Sequence, residues 1–431
     1  MELIIHMKSF AKSTSSLLVA GAIAATGLGV STSANAFTTF NADEVKGSIT
    51  YYTNRTDLIE SGVFKRYEEE FKKLYPKVTE VKVVGFADYQ GGIRPRMNTG
   101  DYGDIVLVLP SVPSEQYANF YEPLNDMYHN TEIYFYDTWA DKGNIYGISM
   151  GNAVEGLVYN KEVLAKAGVE TPIKTLTDFY AACDKIKALG KTPIYVNFGA
   201  QWPLQQFDKL PLVIEGNDQV YEKMLTQDAP FSDPNSAYYK SLKFLKTLIY
   251  NGYVEKDLMT NSWEDSKNAI AKGEAAMYYL GNWVIPQVIE RGAKSENIGF
   301  MPIPADDSGV LKAQINHDWA YAVSKFSKNK TTAKAFVQYL LEKSDFDAVA
   351  GFIPTVKNRL PSLPQLHEYL NYNPQMIQSP VNSSKFIEVT NKSKIDFYSG
   401  GYIQDVMTAD DFDAALKKLD ARWKRAKERV K

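Results

Sequence analysis

The order of apolar and polar positions in the first third of the chain predicts strands that alternate with helices. Three short runs are rich in the apolar and β-branched residues of strands: 48–52, 81–84 and 104–108. Between the first two runs, apolar residues recur at the spacing of one helix face: Val63, Tyr67, Phe71 and Leu74. A β-α-β-α-β order with apolar strands predicts a parallel sheet that helices cover on both faces.

The remainder of the chain predicts a second α/β unit. Its strands are expected at 156–159, 192–198, 275–280 and 298–301, and its last helix at 408–430. Asn160, Thr177 and Ser262 precede further predicted helices, and their side chains are of the types that cap helix N-termini. Because no proline- or serine-rich linker divides the chain, we expect two lobes with several crossings between them.

Ligands of open α/β sheets bind beyond the carboxyl ends of the strands, and this rule selects candidate residues. Asn54 and Arg55 follow the first predicted strand, and Ser111 follows the third. Trp202 follows the strand at 192–198, and Trp283 follows the strand at 275–280. These side chains are therefore expected to face one crevice.

Composition and charge exclude several classes of function. A net charge of −3 over 431 residues gives no basic surface for nucleic acid. One cysteine excludes an internal disulfide and a thiolate zinc cluster, and four histidines argue against a histidine-rich metal site. The 28 tyrosines and 6 tryptophans supply many flat faces with polar edges.

The first 36 residues have the pattern of a secretory signal peptide. Lys8 and Lys12 precede an uncharged apolar stretch at 17–30, and Ala34-Asn35-Ala36 supplies a cleavage site. The apolar stretch is shorter than the roughly 20 residues that span a bilayer. The cleavage site carries no cysteine, so no lipid anchor is expected, and Met7 is an alternative start to Met1. The mature protein is expected in the periplasm or secreted, with no stable membrane insertion.

Five sequence segments occur in an order that resembles one known family. They are Asp104-Ile105, 145–148 (IYGI) with 156–161 (GLVYNK), 269–283 (AIAKGEAAMYYLGNW), 297–304 (NIGFMPIP) and 320–330 (AYAVSKFSKNK). Together they are similar to the family 1 extracellular solute-binding proteins, the sugar-binding components of bacterial ABC importers, which include maltodextrin-binding protein. The resemblance covers nearly all of 37–431.

The resemblance implies an α/β fold of two lobes, the type II periplasmic-binding-protein fold, with a mostly parallel sheet flanked by helices in each lobe. Lobe one would comprise 37–149 and 301–337, and lobe two would comprise 150–300 and 338–431. The hinge crossings would lie near 149–152, 300–302 and 336–339.

The implied function is capture of a sugar or oligosaccharide by hinge closure and its delivery to the membrane permease subunits of an ABC transporter. The protein would be a monomer and would need neither cofactor nor metal. The loops at 199–208 and 378–402 are expected to set the choice of sugar.

The candidate binding residues combine stacking faces with polar groups for sugar hydroxyls. In the family, the tryptophan that corresponds to Trp283 stacks on sugar; Trp202 and Trp319 are further candidates, and each of the three could instead fill a core or the hinge. The polar candidates are Asn54, Arg55, Ser111, Asn152, Glu155 and Asp318, with Tyr398 reaching from the second lobe. Trp263 and Trp423 are predicted to be core residues, as is Cys183.

Other readings remain open. Residues 147–151 fit G-x-S-x-G, but the nucleophile elbow needs a helix directly after the serine, and the chain here continues extended. A secreted glycosidase would also bind sugar and needs two carboxylates, which any chain with 51 acidic residues offers. The same fold could bind a non-sugar solute. The basic run from Lys417 to Lys431 is predicted to be a solvated helix face.

Overall fold

The computed structural model describes residues 39–128, 133–357, 359–397 and 399–430. The strands, in chain order, are β1 (Gly47–Thr53), β2 (Val78–Gly85), β3 (Ile105–Leu107), β4 (Ala140–Asp141), β5 (Asn144–Ile145), β6 (Ile148–Ser149), β7 (Asn152–Asn160), β8 (Thr192–Tyr195), β9 (Ala275–Gly281), β10 (Ile298–Met301), β11 (Lys312–His317), β12 (Ala320–Val323) and β13 (Gln375–Gln378). The expected signal peptide and Tyr398 lie outside the described residues.

Helices connect these strands throughout the described ranges. In chain order they are α1 (Thr56–Glu60), α2 (Val63–Leu74), α3 (Tyr89–Thr99), α4 (Tyr117–Phe120), α5 (Lys161–Lys166), α6 (Leu176–Ala188), α7 (Gln206–Glu215), α8 (Val220–Thr226), α9 (Ala237–Tyr250), α10 (Trp263–Ala271), α11 (Val284–Glu290), α12 (Lys330–Gln338), α13 (Phe346–Ala350), α14 (Pro364–Asn371), α15 (Ser384–Ser393), α16 (Gly401–Thr408) and α17 (Phe412–Glu428). None of the described helices is long and apolar enough to cross a bilayer.

The capping residues explain where several helices begin. The Asn160 side chain accepts a hydrogen bond from the Val163 amide at the start of α5, and Ser262 forms a capping box with Asp265 at the start of α10, both as predicted. The expected cap at Thr177 is wrong, because Thr175 caps α6 instead. The Thr177 amide donates to Asp307, outside the helix.

The first sheet has the strand order β2-β1-β3-β12-β6. β1 is parallel to both β2 and β3, which confirms the parallel β-α-β-α-β unit predicted from the amino-terminal pattern. β12 pairs with β3 in the antiparallel direction, and β6 pairs antiparallel with β12, so β6 runs in the same direction as β3.

The second sheet has the order β13-β11-β7-β9-β8, with β10 also paired to β7. β8 is parallel to β9, and β11 is parallel to β13. β7 is antiparallel to β9, β10 and β11, so this sheet is mixed where a mostly parallel one was expected. The two-lobed α/β class is confirmed, and each lobe has its own hydrophobic core.

The lobes are joined by three neighbouring segments that hydrogen-bond to one another. Segment 149–152 leads from β6 to β7, and segment 317–320 leads back from β11 to β12. The Met150 amide donates to the Trp319 carbonyl at 2.8 Å. The third segment pairs Ile353 with Asn152 through two backbone bonds of 2.8 and 2.9 Å. A Cβ on Gly151 would lie 2.5 Å from Cβ of Phe352, so only glycine fits between these segments.

Two of the three expected crossings lie elsewhere. Phe300 belongs to β10, which pairs with β7 inside the second sheet, and Phe336 of α12 packs in the core of the first lobe. The chain stays in the second lobe through β10 and β11, because both strands add to β7. It therefore returns to the first lobe at 317–320 and leaves it only after α13.

Candidate ligand-binding cleft

A cleft of about 1170 Å³ lies between the two lobes, at the hinge. The first lobe contributes the segments after β1 and β2, including α1 and α3. The second lobe contributes the loop after β8 and the ends of α7, α10 and α11 that face it. The carboxyl ends of β1, β8 and β9 thus meet at one crevice, as the strand-end rule predicts.

Three indole rings form one wall of the cleft, and we call Trp202, Trp263 and Trp283 the tryptophan wall. The ring centroids of Trp202 and Trp263 are 4.8 Å apart, and Trp283 lies 5.8 and 6.0 Å from them. These are contact distances for aromatic pairs, so no ligand atom fits between two of the rings. The wall therefore offers an apolar face to the cleft rather than a cage.

Local structure explains how the three indoles meet. Trp283 follows β9 and is the N-cap residue of α11, and Trp202 opens the short 3₁₀ helix at Trp202–Gln205 after β8. Trp263 is the first residue of α10 and lies between Ser262 and Asp265, whose capping box fixes the start of this helix. The prediction that Trp263 is a core residue is wrong, because the ring is half-buried and lines the cleft. Trp423 is fully buried, as predicted.

The first lobe places Trp319 and Tyr89 on its side of the cleft. Their ring centroids are 5.2 Å apart in an edge-to-face arrangement. The Tyr89 hydroxyl accepts a hydrogen bond of 2.8 Å from the Leu107 amide in β3, which anchors the pair to the sheet. Trp319 was a candidate from sequence; Tyr89 was missed, although it follows β2 by only four residues.

Arg55 is a buried cation at the base of the first-lobe side. Its Nε donates to both oxygens of the Asp57 carboxylate, at 2.9 and 3.2 Å, and its Nη2 donates to one of them at 2.6 Å. Burial alone would raise the pKa of Asp57, but the Arg55 charge and hydrogen bonds hold it below its usual value. Nη1 of Arg55 and Oδ1 of the adjacent Asn54 are buried without a hydrogen-bond partner. Both residues line the cleft.

The second lobe contributes an ion pair whose lysine lines the cleft. Nζ of Lys209, which lines the cleft, donates to Oε1 of Glu155 at 2.7 Å. The other carboxylate oxygen, Oε2 of Glu155, is buried without a partner, as is Oε1 of Gln206. Gln206 lines the cleft and Glu155 does not, so of these two oxygens the one on Gln206 is available to a bound ligand with hydroxyls.

Asp318 lies in the hinge, and its carboxylate interacts with charged side chains of both lobes, Arg55 and Lys209. Burial raises the pKa of Asp318 to about 6, against the opposing charges of Arg55 and Lys209. The neighbouring His317 packs edge-on against Trp139, 4.4 Å between centroids, and burial lowers the pKa of His317 to about 4. Asp318 lines the cleft and His317 does not.

Besides Glu155, two other sequence candidates do not line the cleft. Asn152 is buried in the hinge, where its Nδ2 donates to the Pro354 carbonyl at 3.1 Å. Ser111 accepts a 2.7 Å hydrogen bond from Arg94, which does line the cleft. The Ser111 carbonyl also accepts a hydrogen bond from Asn391 of the other lobe at 3.3 Å. The strand-end rule placed Ser111 at the cleft rim, but its groups bind protein partners.

Lys267 is a further cleft residue that sequence reasoning missed. Its side chain is almost fully buried, and its ammonium lies 5.1 Å from the centre of the Trp263 ring. The same ammonium donates to Oε1 of Glu264 at 2.7 Å and to Oε1 of Gln287 at 3.3 Å. The i, i+4 spacing of Trp263 and Lys267 on a helix could have indicated this pair.

The structure around Ser149 does not fit the hypothesis that this serine is a catalytic nucleophile. Ser149 ends β6, and the strand β7 follows where a nucleophile elbow needs a helix. The Ser149 hydroxyl donates to the Gly151 carbonyl at 2.5 Å, so it is engaged within the hinge. In the described part of the chain, no three His, Cys, Asp or Glu side chains are grouped as metal ligands.

Two α/β lobes, three hinge segments and an aromatic cleft between them define a two-lobed binding protein. Comparison with known families agrees: the profile of the bacterial extracellular solute-binding proteins (SBP_bac_1) matches residues 32–345. The chain belongs to this family.

Individual relatives are moderately similar in sequence. An uncharacterized ABC transporter extracellular-binding protein of Pyrococcus horikoshii is 25% identical over 310 residues, 68% of this chain and 67% of that protein. The alignments with the curated relatives span from 44% to 74% of those proteins' lengths.

Solved structures match over most of the chain. A manno-oligosaccharide specific solute binding protein of Bifidobacterium animalis subsp. lactis, in complex with mannotriose, has a TM-score of 0.80 and 26% identity, covering 90% of this chain and 96% of that one. A second binding protein of an ABC transporter from the same organism, in complex with mannobiose, has a TM-score of 0.80 and 28% identity over the same shares.

Proposed function

We propose that this protein captures an oligosaccharide between its lobes and delivers it to the membrane subunits of an ABC importer. The tryptophan wall is the observation that carries the proposal. A sugar ring has an apolar C–H face, and covering that face with an indole removes apolar area from water, worth roughly 25 cal/mol per Å². The mannose-based ligands of the two bifidobacterial proteins support the same class of solute.

The polar groups of the cleft suit the hydroxyl rim of the same ligand. Gln206 offers a buried unpaired acceptor from the second lobe, Lys209 offers the ammonium group that Glu155 holds, and Arg55 offers a buried unpaired donor from the first lobe. A ligand that satisfies groups of both lobes at once binds the closed form better than the open form, and so shifts the population toward closure. Trp202, Trp283 and Trp319 would supply the stacking faces, and Asp318 a hydrogen-bond partner at the hinge.

The size of the cleft favours a ligand of more than one sugar unit. At about 1170 Å³ it exceeds the roughly 300–1,000 Å³ of ordinary small-molecule pockets. The protein would act outside the cytoplasm after loss of its signal peptide, as a monomer that binds without chemical turnover. Closure around one ligand per chain would present the closed lobes to the permease.

Calorimetry of the mature protein against mannobiose, mannotriose, raffinose and glucose tests the proposal, with chromatography of the recovered sugar. We expect saturable binding of at least one oligosaccharide at one ligand per chain, with the sugar recovered unchanged. Recovery of shortened sugar would instead identify a glycosidase. If heat of binding were observed only with non-sugar solutes, such as amino acids or polyamines, the protein would be a solute-binding protein for that other class of ligand.

A further inference from the structure

A second cavity, of about 290 Å³, opens on the second lobe away from the cleft. It lies where β8 and β9 begin and where β7 ends, whereas the large cleft adjoins the opposite ends of these strands. Four lysines from four separate segments line it, and we call it the lysine cavity: Lys166 at the end of α5, Lys191 before β8, Lys272 after α10 and Lys294 after α11.

The charge of the lysine cavity is only partly compensated. The four side chains are exposed, and within the described residues none of their ammonium groups forms an ion pair or hydrogen bond. The single carboxylate in the lining is Glu162, whose Oε1 already accepts a 2.5 Å hydrogen bond from Asn297. The helices α5, α6, α10 and α11 all end beside the cavity, and each helix end contributes partial negative charge, up to about half an elementary charge. The four ammonium charges exceed the Glu162 charge and these partial charges, so a small net positive charge remains around the concave space.

We propose that the lysine cavity binds a compact polyanion of the phosphate class, independently of the solute in the cleft. Several converging like charges in a concavity raise the local potential and concentrate multivalent counter-ions. Lysine ammonium groups act as point charges with three donors each, which suits phosphate oxygens approaching from several directions. A cavity of about 290 Å³ has room for one or two phosphate groups and excludes a folded partner.

A phosphate group could come from a soluble ion or from the headgroup of an anionic lipid, and two arms of one experiment separate these sources. The first arm titrates the mature protein with pyrophosphate by calorimetry at low salt. The second arm measures cosedimentation with vesicles that contain phosphatidylglycerol. Both arms use the wild type, the double variant Lys272→Gln/Lys294→Gln, and a matched control, Lys417→Gln/Lys418→Gln. The control removes two exposed lysines of α17, in the same lobe.

We expect saturable 1:1 binding in at least one arm, weakened about tenfold in Lys272→Gln/Lys294→Gln and unchanged in the control. Binding of pyrophosphate identifies a soluble ligand, and binding of vesicles alone identifies a lipid headgroup. An equal effect in both double variants means general charge attraction and overturns the proposal, as does no saturable binding in either arm. Sugar binding should be unaltered in every variant, so failure here leaves the function of the cleft untouched.

Discussion

Nζ of Lys209 lies 2.7 Å from one oxygen of Glu155, while the second oxygen of that carboxylate is buried without a partner. The Glu155 side chain is 1% exposed and the Lys209 side chain 23% exposed, so the carboxylate depends on this lysine for its stability in the fold. Lys209 lines the cleft and Glu155 does not, so the buried carboxylate fixes the position of a lysine at the cleft surface.

Removal of Lys209 should cost more than removal of the whole pair. Lys209→Met leaves a buried, uncompensated carboxylate, and we expect a loss of about 2–4 kcal/mol in the free energy of unfolding. Lys209→Met/Glu155→Gln should recover at least half of that loss, because no charge is left without a partner. Urea denaturation of the wild type, both single variants and the double variant measures this coupling. Additive losses would mean that the two groups do not interact.

Trp283→Ala should weaken oligosaccharide binding without unfolding the protein. The indole is half-buried in the tryptophan wall, and its loss removes one stacking face from the proposed ligand. We expect a loss of about 1–3 kcal/mol, or roughly five- to 150-fold in affinity. Trp423→Phe, in the core of the second lobe, is the control and should leave the affinity unchanged. Equal affinity of Trp283→Ala and wild type in calorimetry would remove Trp283 from the site.

Lys267 should act on the ligand through Trp263. Lys267→Met keeps the length of the side chain but removes the cation over the Trp263 ring and the hydrogen bonds to Glu264 and Gln287. We expect binding weaker by about 0.5–2 kcal/mol and an altered tryptophan emission spectrum. Lys267→Arg should restore much of both, because arginine also stacks on aromatic rings. The exposed Lys240 on α9 offers a matched Lys→Met control that should change neither quantity.

Asp318 should make the protein less stable as the pH rises from about 4 to 6. In the native state Asp318 keeps its proton up to a pKa of about 6, whereas an unfolded chain releases it near 3.9. The native state binds more protons across this window, so rising pH lowers the free energy of unfolding, by on the order of 2 kcal/mol. As the pH rises from 4 to 6, the free energy of unfolding of Asp318→Asn should therefore increase relative to that of the wild type. Urea denaturation at each pH measures this difference.

His317 should have the opposite effect over a similar range. Its native pKa of about 4 lies below the value of about 6.5 in an unfolded chain. The unfolded state binds more protons between these values, so this residue adds stability as the pH rises and loses it on acidification. As the pH rises from 4 to 6.5, the free energy of unfolding should increase less for His317→Asn than for the wild type. A pH-independent difference for either variant would contradict the burial argument for that residue.

The strand-end rule succeeded where a side chain follows a parallel strand directly. Arg55 and Trp283 reach the cleft because the last residues of β1 and β9 aim the chain at the crevice. Ser111 also follows a strand, but Arg94 comes between it and the cleft. The rule predicts at which edge of the sheet the ligand binds. It does not predict which of two neighbouring side chains lies nearer to the ligand.

Other errors arose from contacts between distant parts of the chain. Trp263 fits an amphipathic helix pattern, and only the approach of Trp202 and Trp283 places its ring at the cleft. The hinge crossings were misplaced because the antiparallel pairing of β10 with β7 is set by tertiary structure. An apolar run such as 298–301 predicts a strand equally well in either lobe. Lys209 and Glu155 are 54 residues apart, so no local pattern joins them.

Small-angle X-ray scattering of the mature protein, recorded empty and at saturating mannotriose or the best oligosaccharide found by calorimetry, tests the central account most directly. Closure of two lobes on a sugar predicts a smaller radius of gyration in the presence of ligand, with the change abolished in Trp283→Ala at the same sugar concentration. Superimposable profiles with every oligosaccharide, together with no heat of binding, would contradict it.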